Sequence, residues 1–420
     1  MKYLCVLAAR SAWNRRLTLG LTLVAIALSV MLLLGVERVR QGARDGFSQS
    51  VSGTDLVVGA RTSPVQLMLY AVFRIGEATN NMRWESFEAI AAQPQVAWAV
   101  PLSLGDSHRG FAVAGTTPAY FDHFRYGGAQ PLAFSAGARF EKLFDVVLGA
   151  AVAEQLGYRL GDRVVLNHGS GDSGLAEHAD KPFTVVGILA RTGTPVDRTL
   201  HVGLAAIEAI HLDWQGGAPV PGLSIPAEFV GKFDLKPKVI TAALIGLKNR
   251  AAVFRVQRAI NEHTGEPLSA VLPGVALDQL WQVVGVAERA LLAVSTMVVV
   301  VGLAGLVAVI LAGLNERRRE LAILRSVGAR PVAVFALLTM EGLAVTLLGA
   351  LFGVALLTVL SVPLAPLAAA HFGLAVELHI ITLDELRLLG AVVGIGLLAC
   401  LIPGYRAYKL SLADGLTPRI

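Results

Sequence analysis

Long apolar runs alternate with polar blocks along this chain. Leu17 to Val36 carries no charged residue. At ~1.5 Å per residue such a helix spans about 30 Å, one hydrocarbon core. Comparable runs cover 290–314, 332–362 and 388–408, the last with Pro403 as a kink. Together they predict four transmembrane helices. Between the second and third stands NERRRELAILRSVGARP, residues 315–331, with Glu316, Arg317, Arg318, Arg319 and Glu320 in succession. One charge at a helix centre costs ~3 kcal/mol on insertion and five would cost ~15 kcal/mol, so this block belongs at the membrane surface. A cleavable signal peptide is the other reading of the first run. It fits less well, because the run exceeds a usual signal core and GVERVRQGARDG offers no good small-residue cleavage site.

The region 37–287 has a different texture. DVVLG, DRVVLN, FTVVGILA, RTLHVGL and KVITAALIGL read as strands. WESFEAIAAQ, AAVAEQLG, LAAIEAI and AAVFRVQRAINEHTG read as helices, several with Gly or Pro at an end. The fold class expected is therefore membrane α-helical with four spans, plus a large extracytoplasmic α+β domain inserted between the first and second. The ends of that domain, GVERVRQGARDGF and GVALDQLWQVVGVAERA, read as stalks continuing those two spans. Residues 363–387 read as a short loop and 409–420 as a tail.

Basic residues orient the scheme. Lys2, Arg10, Arg15 and Arg16 precede span one, five arginines lie within 315–331, and Arg406, Lys409 and Arg419 close the chain. The positive-inside bias places residues 1–16, 315–331 and 409–420 in the cytoplasm. Arg38, Arg40 and Arg44 run against it, although long domains translocate largely regardless of charge.

Composition agrees: 54% of residues are hydrophobic, only 16% are charged, and mean hydropathy is +0.61. The net charge of +5 is carried beside apolar runs, which points to a bilayer and away from nucleic acid. Two cysteines, Cys5 and Cys400, make no disulfide framework. The chain has no GxxxxGK[ST] phosphate loop and no nucleophile elbow, so no catalytic residues are assigned and the chain is not expected to be an enzyme.

At 100° per residue, Leu321, Ile323, Leu324, Val327 and Gly328 share one arc of a short helix. Arg318, Arg319, Arg325 and Ser326 lie opposite, and Glu320 falls inside the apolar arc. Gly328 suits the C-terminal cap and Pro331 blocks continuation. Such a helix either floats in the interface or docks into a groove on a cytoplasmic partner. Glu341 is the sole charge in span three; it either faces the bundle interior or sits near the interface. Gly349 and Gly353 have GxxxG spacing for close helix packing. All nine histidines fall on the outer side. His168 and His178, near Asp172, Glu177 and Asp180, are candidate zinc ligands on a hairpin. Solvated loop histidines are the favoured reading, since the spacing matches no strong metal signature.

NERRRELAILRSVGARPVAVFALLTMEGLAVTLLGALFGVAL resembles the hallmark segment of ABC transporter permeases of the MacB/LolC/FtsX superfamily (type VII). VVLGAAVAEQLGYRLGDRVVL and FTVVGILARTGTPVDRTLHVGLAAIEAI resemble the family's periplasmic core, and PGYRAYKLSLADGL its C-terminal signature. The resemblance implies a stand-alone permease of the cell inner membrane without a fused ATPase. It implies a separate cytoplasmic ABC ATPase that binds ATP and Mg, a second permease copy or homologue, and possible periplasmic adaptor or cargo proteins. It casts the 315–331 segment as the coupling helix: Leu321, Leu324 and Val327 in a groove of the ATPase, Arg318, Arg319 and Arg325 in salt bridges or on lipid phosphates, Glu316 and Glu320 on the partner's basic residues. The activity implied is mechanotransmission, moving a periplasmic, lipoprotein or lipid-like cargo without an aqueous pore. A transmembrane signalling subunit controlling a periplasmic partner, zinc-linked or not, is the alternative.

Overall fold

The computed structural model describes residues 15–169, 177–215, 218–220, 225–316, 323, 325–326, 328–372 and 381–409. The chain divides into two compact units, one of long helices and one built on 43–284.

The helical unit draws on α1 (Arg16–Gln49), α8 (Pro273–Glu316), α9 (Pro331–Phe372) and α10 (Leu383–Lys409). All four are long and apolar enough to cross a membrane. The helices outrun the expected spans. α8 has 44 residues, ~66 Å of helix, about twice the hydrocarbon thickness. Its charged Asp278, Glu288 and Arg289 therefore have helix to occupy outside the apolar layer. Two boundaries differ from the sequence reading. α9 continues through Pro363 and Pro366 to Phe372, into residues expected to be loop. A proline costs one backbone hydrogen bond and a bend, which an apolar helix can absorb. α10 begins at Leu383 rather than 388, because Thr382 and Glu385 form a capping box. The Glu385 N–H donates to Thr382 Oγ1 at 3.3 Å, and the Thr382 N–H donates to Glu385 Oε2 at 3.1 Å.

Small residues let these helices close up. A Cβ on Gly353 would sit 2.6 Å from the Ala27 carbonyl oxygen, and one on Gly349 would sit 2.8 Å from Ile26. Thus the GxxxG face of α9 lies on α1. Gly342 lies against Cys400 of α10 and Ile310 of α8. Ser29 Oγ of α1 donates to Ala25 O at 2.8 Å and to Val298 O of α8 at 3.4 Å. Leu33, Leu34, Leu306, Leu338 and Val392 fill the shared interior.

The second unit is a mixed sheet with helices on both faces. Its strands are β1 (Leu56–Ala60), β2 (Val96–His108), β3 (Phe111–Thr116), β4 (Phe134–Gly137), β5 (Asp145–Leu148), β6 (Arg163–Val164), β7 (Asn167–His168), β8 (Phe183–Leu189), β9 (Thr199–Gly203), β10 (Ala242–Leu247) and β11 (Leu268–Val271). The order is β11-β1-β10-β2-β3-β9-β5-β8-β4, with β7 paired to β2 and β6 to β8. β5 and β8 run parallel, as do β3 and β9; the remaining pairs are antiparallel. Side chains alternate between two buried faces. Leu56 and Val58 pack with Phe87, Ile90, Val256 and Ile260. Val57, between them, packs in a core with Leu67, Tyr120 and Phe121. A third cluster joins Leu148, Val185 and Val202 to Val152, Ile207 and Ile210.

Helices α2 (Pro64–Ala71), α3 (Trp84–Ala91), α4 (Ala119–His123), α5 (Ala150–Leu156), α6 (Leu204–His211) and α7 (Val253–Asn261) supply those faces. α5 ends where Gly157 turns left-handed at φ 72°, a cap that glycine adopts without cost. At its start a Cβ on Gly149 would lie 2.2 Å from the Val196 carbonyl oxygen, so only glycine fits the β5–α5 corner.

Candidate functional site

The first candidate is the helical unit. Arg38 Nε donates to Glu385 Oε1 at 2.6 Å, with 6% and 0% of the two side chains exposed. This pair ties α1 to the first turn of α10. Glu37, on the neighbouring position, accepts from Arg40 Nε at 2.8 Å and from Gln41 Nε2 at 2.7 Å. The arginines that ran against the orientation scheme are thus in part neutralised where they stand. Glu341 is buried in α9 at 6% exposure, beside the Gly342 contact with Cys400 and Ile310.

Little of the charged segment between α8 and α9 is described. Arg318, Arg319, Glu320, Leu321, Leu324 and Val327 lie outside the described residues, and Glu316 closes α8. Ile323 is half exposed, and Ser326 Oγ donates to its carbonyl at 2.8 Å. The Gly328 N–H donates to Arg325 O at 3.0 Å, and Gly328 has φ 101°, a turn that favours glycine. Pro331 then opens α9.

The second candidate lies in the sheet unit, where three elements converge. Asp106 stands near the end of β2, His168 on β7 beside it, and His211 at the last position of α6. His168 Nδ1 lies 3.0 Å from His211 Nε2 and 3.2 Å from Asp106 Oδ1, and His211 Nε2 lies 3.4 Å from Asp106 Oδ1. His178 completes the group; one ligand atom from each of the four residues lies within 4.8 Å of the others. The His178 ring is fully buried, and neither nitrogen has a hydrogen-bond partner. An unsatisfied buried polar group of this kind costs ~1–3 kcal/mol. Trp214 walls the site, its ring 4.3 Å from that of His178. Close by, Lys181 is fully buried and donates to both Asp213 oxygens at 2.9 Å and to Asp180 at 2.7 Å.

Charge follows from these contacts. Burial pushes the Asp106 carboxyl up, but hydrogen bonds from His168 and His211 outweigh it and hold it at about 2. Burial, then the neighbouring charge of His211, pulls His178 down to about 4. Burial also pulls His211 down, but Asp106 and the Ile207 carbonyl more than compensate, so its pKa is raised.

Comparisons with known proteins address the chain as a whole. The family described as FtsX-like permease C-terminal matches residues 292–412, and that described as MacB-like periplasmic core domain matches residues 19–223. The first of these covers the second to fourth spans with the charged segment between them, and the second covers span one and most of the inserted domain. The chain belongs to the MacB/LolC/FtsX superfamily of ABC transporter permeases. Among relatives, the lipoprotein-releasing system transmembrane protein LolC of Neisseria meningitidis serogroup B is 25% identical over 348 residues, 80% of this chain and 73% of that one. The periplasmic region of MacB from Actinobacillus actinomycetemcomitans is similar at 10% identity and a TM-score of 0.35, over 56% of this chain and 94% of that one. The extracellular domain of the noncanonic ABC-type transporter YknZ from Gram-positive bacteria is similar at 12% identity and a TM-score of 0.29, over 52% and 98%.

In this permease the sequence reading met the second site only in part. His168 and His178 do come together, but His178 is not a solvated loop histidine. The acid beside them is Asp106, not the neighbours in sequence. Asp180 pairs with Lys181, Glu177 lies outside the cluster in a backbone β-bridge with Asn167, and Asp172 lies outside the described residues. Asp106 and His211 were missed as partners because they come from a distant strand and helix, with no local spacing to betray them. The Arg38–Glu385 pair was missed for the same reason, although the capping box TLDE was there to be read.

Proposed function

We propose that this permease is the transmembrane subunit of an ABC machine whose ATPase is a separate cytoplasmic protein. Two such chains, or this one and a homologue, pair through their spans and bind two ATPase copies. The carrying observation is the layout: both family matches, in order, with the charged 315–331 segment between the second and third spans. ATP binding closes the ATPases and pushes the segment through Leu321, Leu324 and Val327. The displacement passes along α1 and α8, helices that run on past the apolar layer, into the inserted domain on the periplasmic side. The close packing of apolar side chains among the four helices favours mechanical transmission over an aqueous pore. The relative's name, a lipoprotein-releasing system protein, favours a lipidated or membrane-embedded cargo. Chemistry on ATP is left to the partner.

Purification of the tagged chain from its native membrane in mild detergent, with mass spectrometry of what co-elutes, tests this. An ABC ATPase should co-elute with the wild type and be lost with Leu324→Asp. A folded wild-type chain that brings down no ATPase would contradict the proposal and favour a signalling role.

A further inference from the structure

We propose that the inserted domain binds one zinc ion through Asp106, His168, His178 and His211. The argument rests on geometry and stands apart from the permease reading. Tetrahedral zinc holds imidazole nitrogen and carboxylate oxygen at ~2.0–2.1 Å, so its ligand atoms stand about 3.3 Å from one another. His168 Nδ1, His211 Nε2 and Asp106 Oδ1 form a triangle with sides of 3.0, 3.2 and 3.4 Å, one face of such a tetrahedron. His178 brings a ring nitrogen within 4.8 Å of those three atoms, placed to close in as the fourth ligand.

Three further observations point to a cation and not to a chance meeting of polar groups. His178 is fully buried with both ring nitrogens unpartnered, and a metal bond satisfies one of them. His211 Nδ1 lies 2.8 Å from the Ile207 carbonyl, which fixes a proton there and turns Nε2 towards the cluster, where a metal would take the place of its proton. That carbonyl is the outer partner that metal-bound histidines characteristically have. The nearby Lys181 charge is already matched by Asp180 and Asp213, so it does not oppose a dication. Three imidazoles and one carboxylate suit zinc; calcium and magnesium prefer an all-oxygen shell. Bound there, zinc joins β2, β7 with His168, the segment carrying His178, and the end of α6.

The test uses the full-length chain in detergent, carried on a tag without histidine, stripped with chelator and titrated with zinc against a chromogenic competitor. About one zinc per chain is expected, with affinity reduced at least ~10-fold in His178→Ala and in Asp106→Asn. His263→Ala, whose ring is not in the cluster, should bind as the wild type. Cobalt(II) in place of zinc should give the intense visible bands of a tetrahedral site, absent in His178→Ala. Asp106→Asn keeps the side-chain shape, so it separates ligand loss from misfolding; the unfolding midpoint of each stripped variant is the check. Less than ~0.2 zinc per chain, equal binding in all variants, or tighter retention of calcium than zinc would overturn the proposal.

Discussion

Arg38 and Glu385 show what one residue can hide. In sequence Arg38 is a misplaced positive charge; in the fold it is half of a buried ion pair with a residue 347 positions away. Removing one partner leaves the other charge buried and alone, which costs ~3–5 kcal/mol. Arg38→Ala or Glu385→Ala should therefore lower the thermal midpoint in detergent clearly. The double variant Arg38→Met with Glu385→Gln should recover part of the loss. Equal stability of wild type and single variants would remove the pair from the account. His201 is a second such residue. Burial, then the nearby Arg74 charge, lowers its pKa to about 3. Its ordinary value is about 6.5, so the unfolded chain binds the extra proton first as the pH falls. Stability from neutral His201 is thus complete above about pH 6.5 and is lost as the pH falls towards 3, by a few kcal/mol in all. Guanidinium unfolding followed by tryptophan fluorescence should show midpoints flat from pH 7 to 8 and falling below 6.5. His201→Leu should make that slope shallower, leaving the part that buried His178 contributes; an unchanged slope would assign it wholly to other groups. The sequence shows His201 only as one polar residue in an apolar strand, and nothing local reveals how deeply it is buried.

At the scale of elements, legibility tracked how much of each signal was local. The apolar runs, the β5–α5 and β9–α6 segments and the Gly157 cap were readable, because hydropathy and glycine positions are written in consecutive residues. β2 was missed although it has 13 residues. Pro101 and Gly105 interrupt it and mimic turn signals; it survives because β10, β3 and β7 pair with its different parts and its register shifts opposite β3. The GxxxG pattern marked a packing face but could not name its partner, which is α1. Gly353→Leu would drive a side chain into the Ala27 carbonyl and Val30. Overpacking of this kind costs ~1–3 kcal/mol or more, so the variant should purify with a lowered melting temperature and weakened subunit assembly on size exclusion. Gly390→Leu, where a Cβ meets nothing within 4 Å, is the control that should behave as the wild type.

The whole molecule is an inserted α+β domain carried between the first two of four membrane helices, and its proposed work is to relay motion from an ATPase partner. The Asp106–His168–His178–His211 cluster belongs to the domain; the Arg38–Glu385 pair and the glycine face belong to the helices. The proposed role is mechanical, a displacement carried from a separate ATPase through these helices. The direct measurement is a spin-label distance between Arg255→Cys, on the exposed face of α7, and Leu383→Cys, at the start of α10. Cys5→Ser and Cys400→Ser form the background, and the chain is bound to its ATPase in nanodiscs. The account predicts that trapping ATP shifts this distance and that Leu324→Asp abolishes the shift. An unchanged distance in a complex that binds and hydrolyses ATP would contradict it.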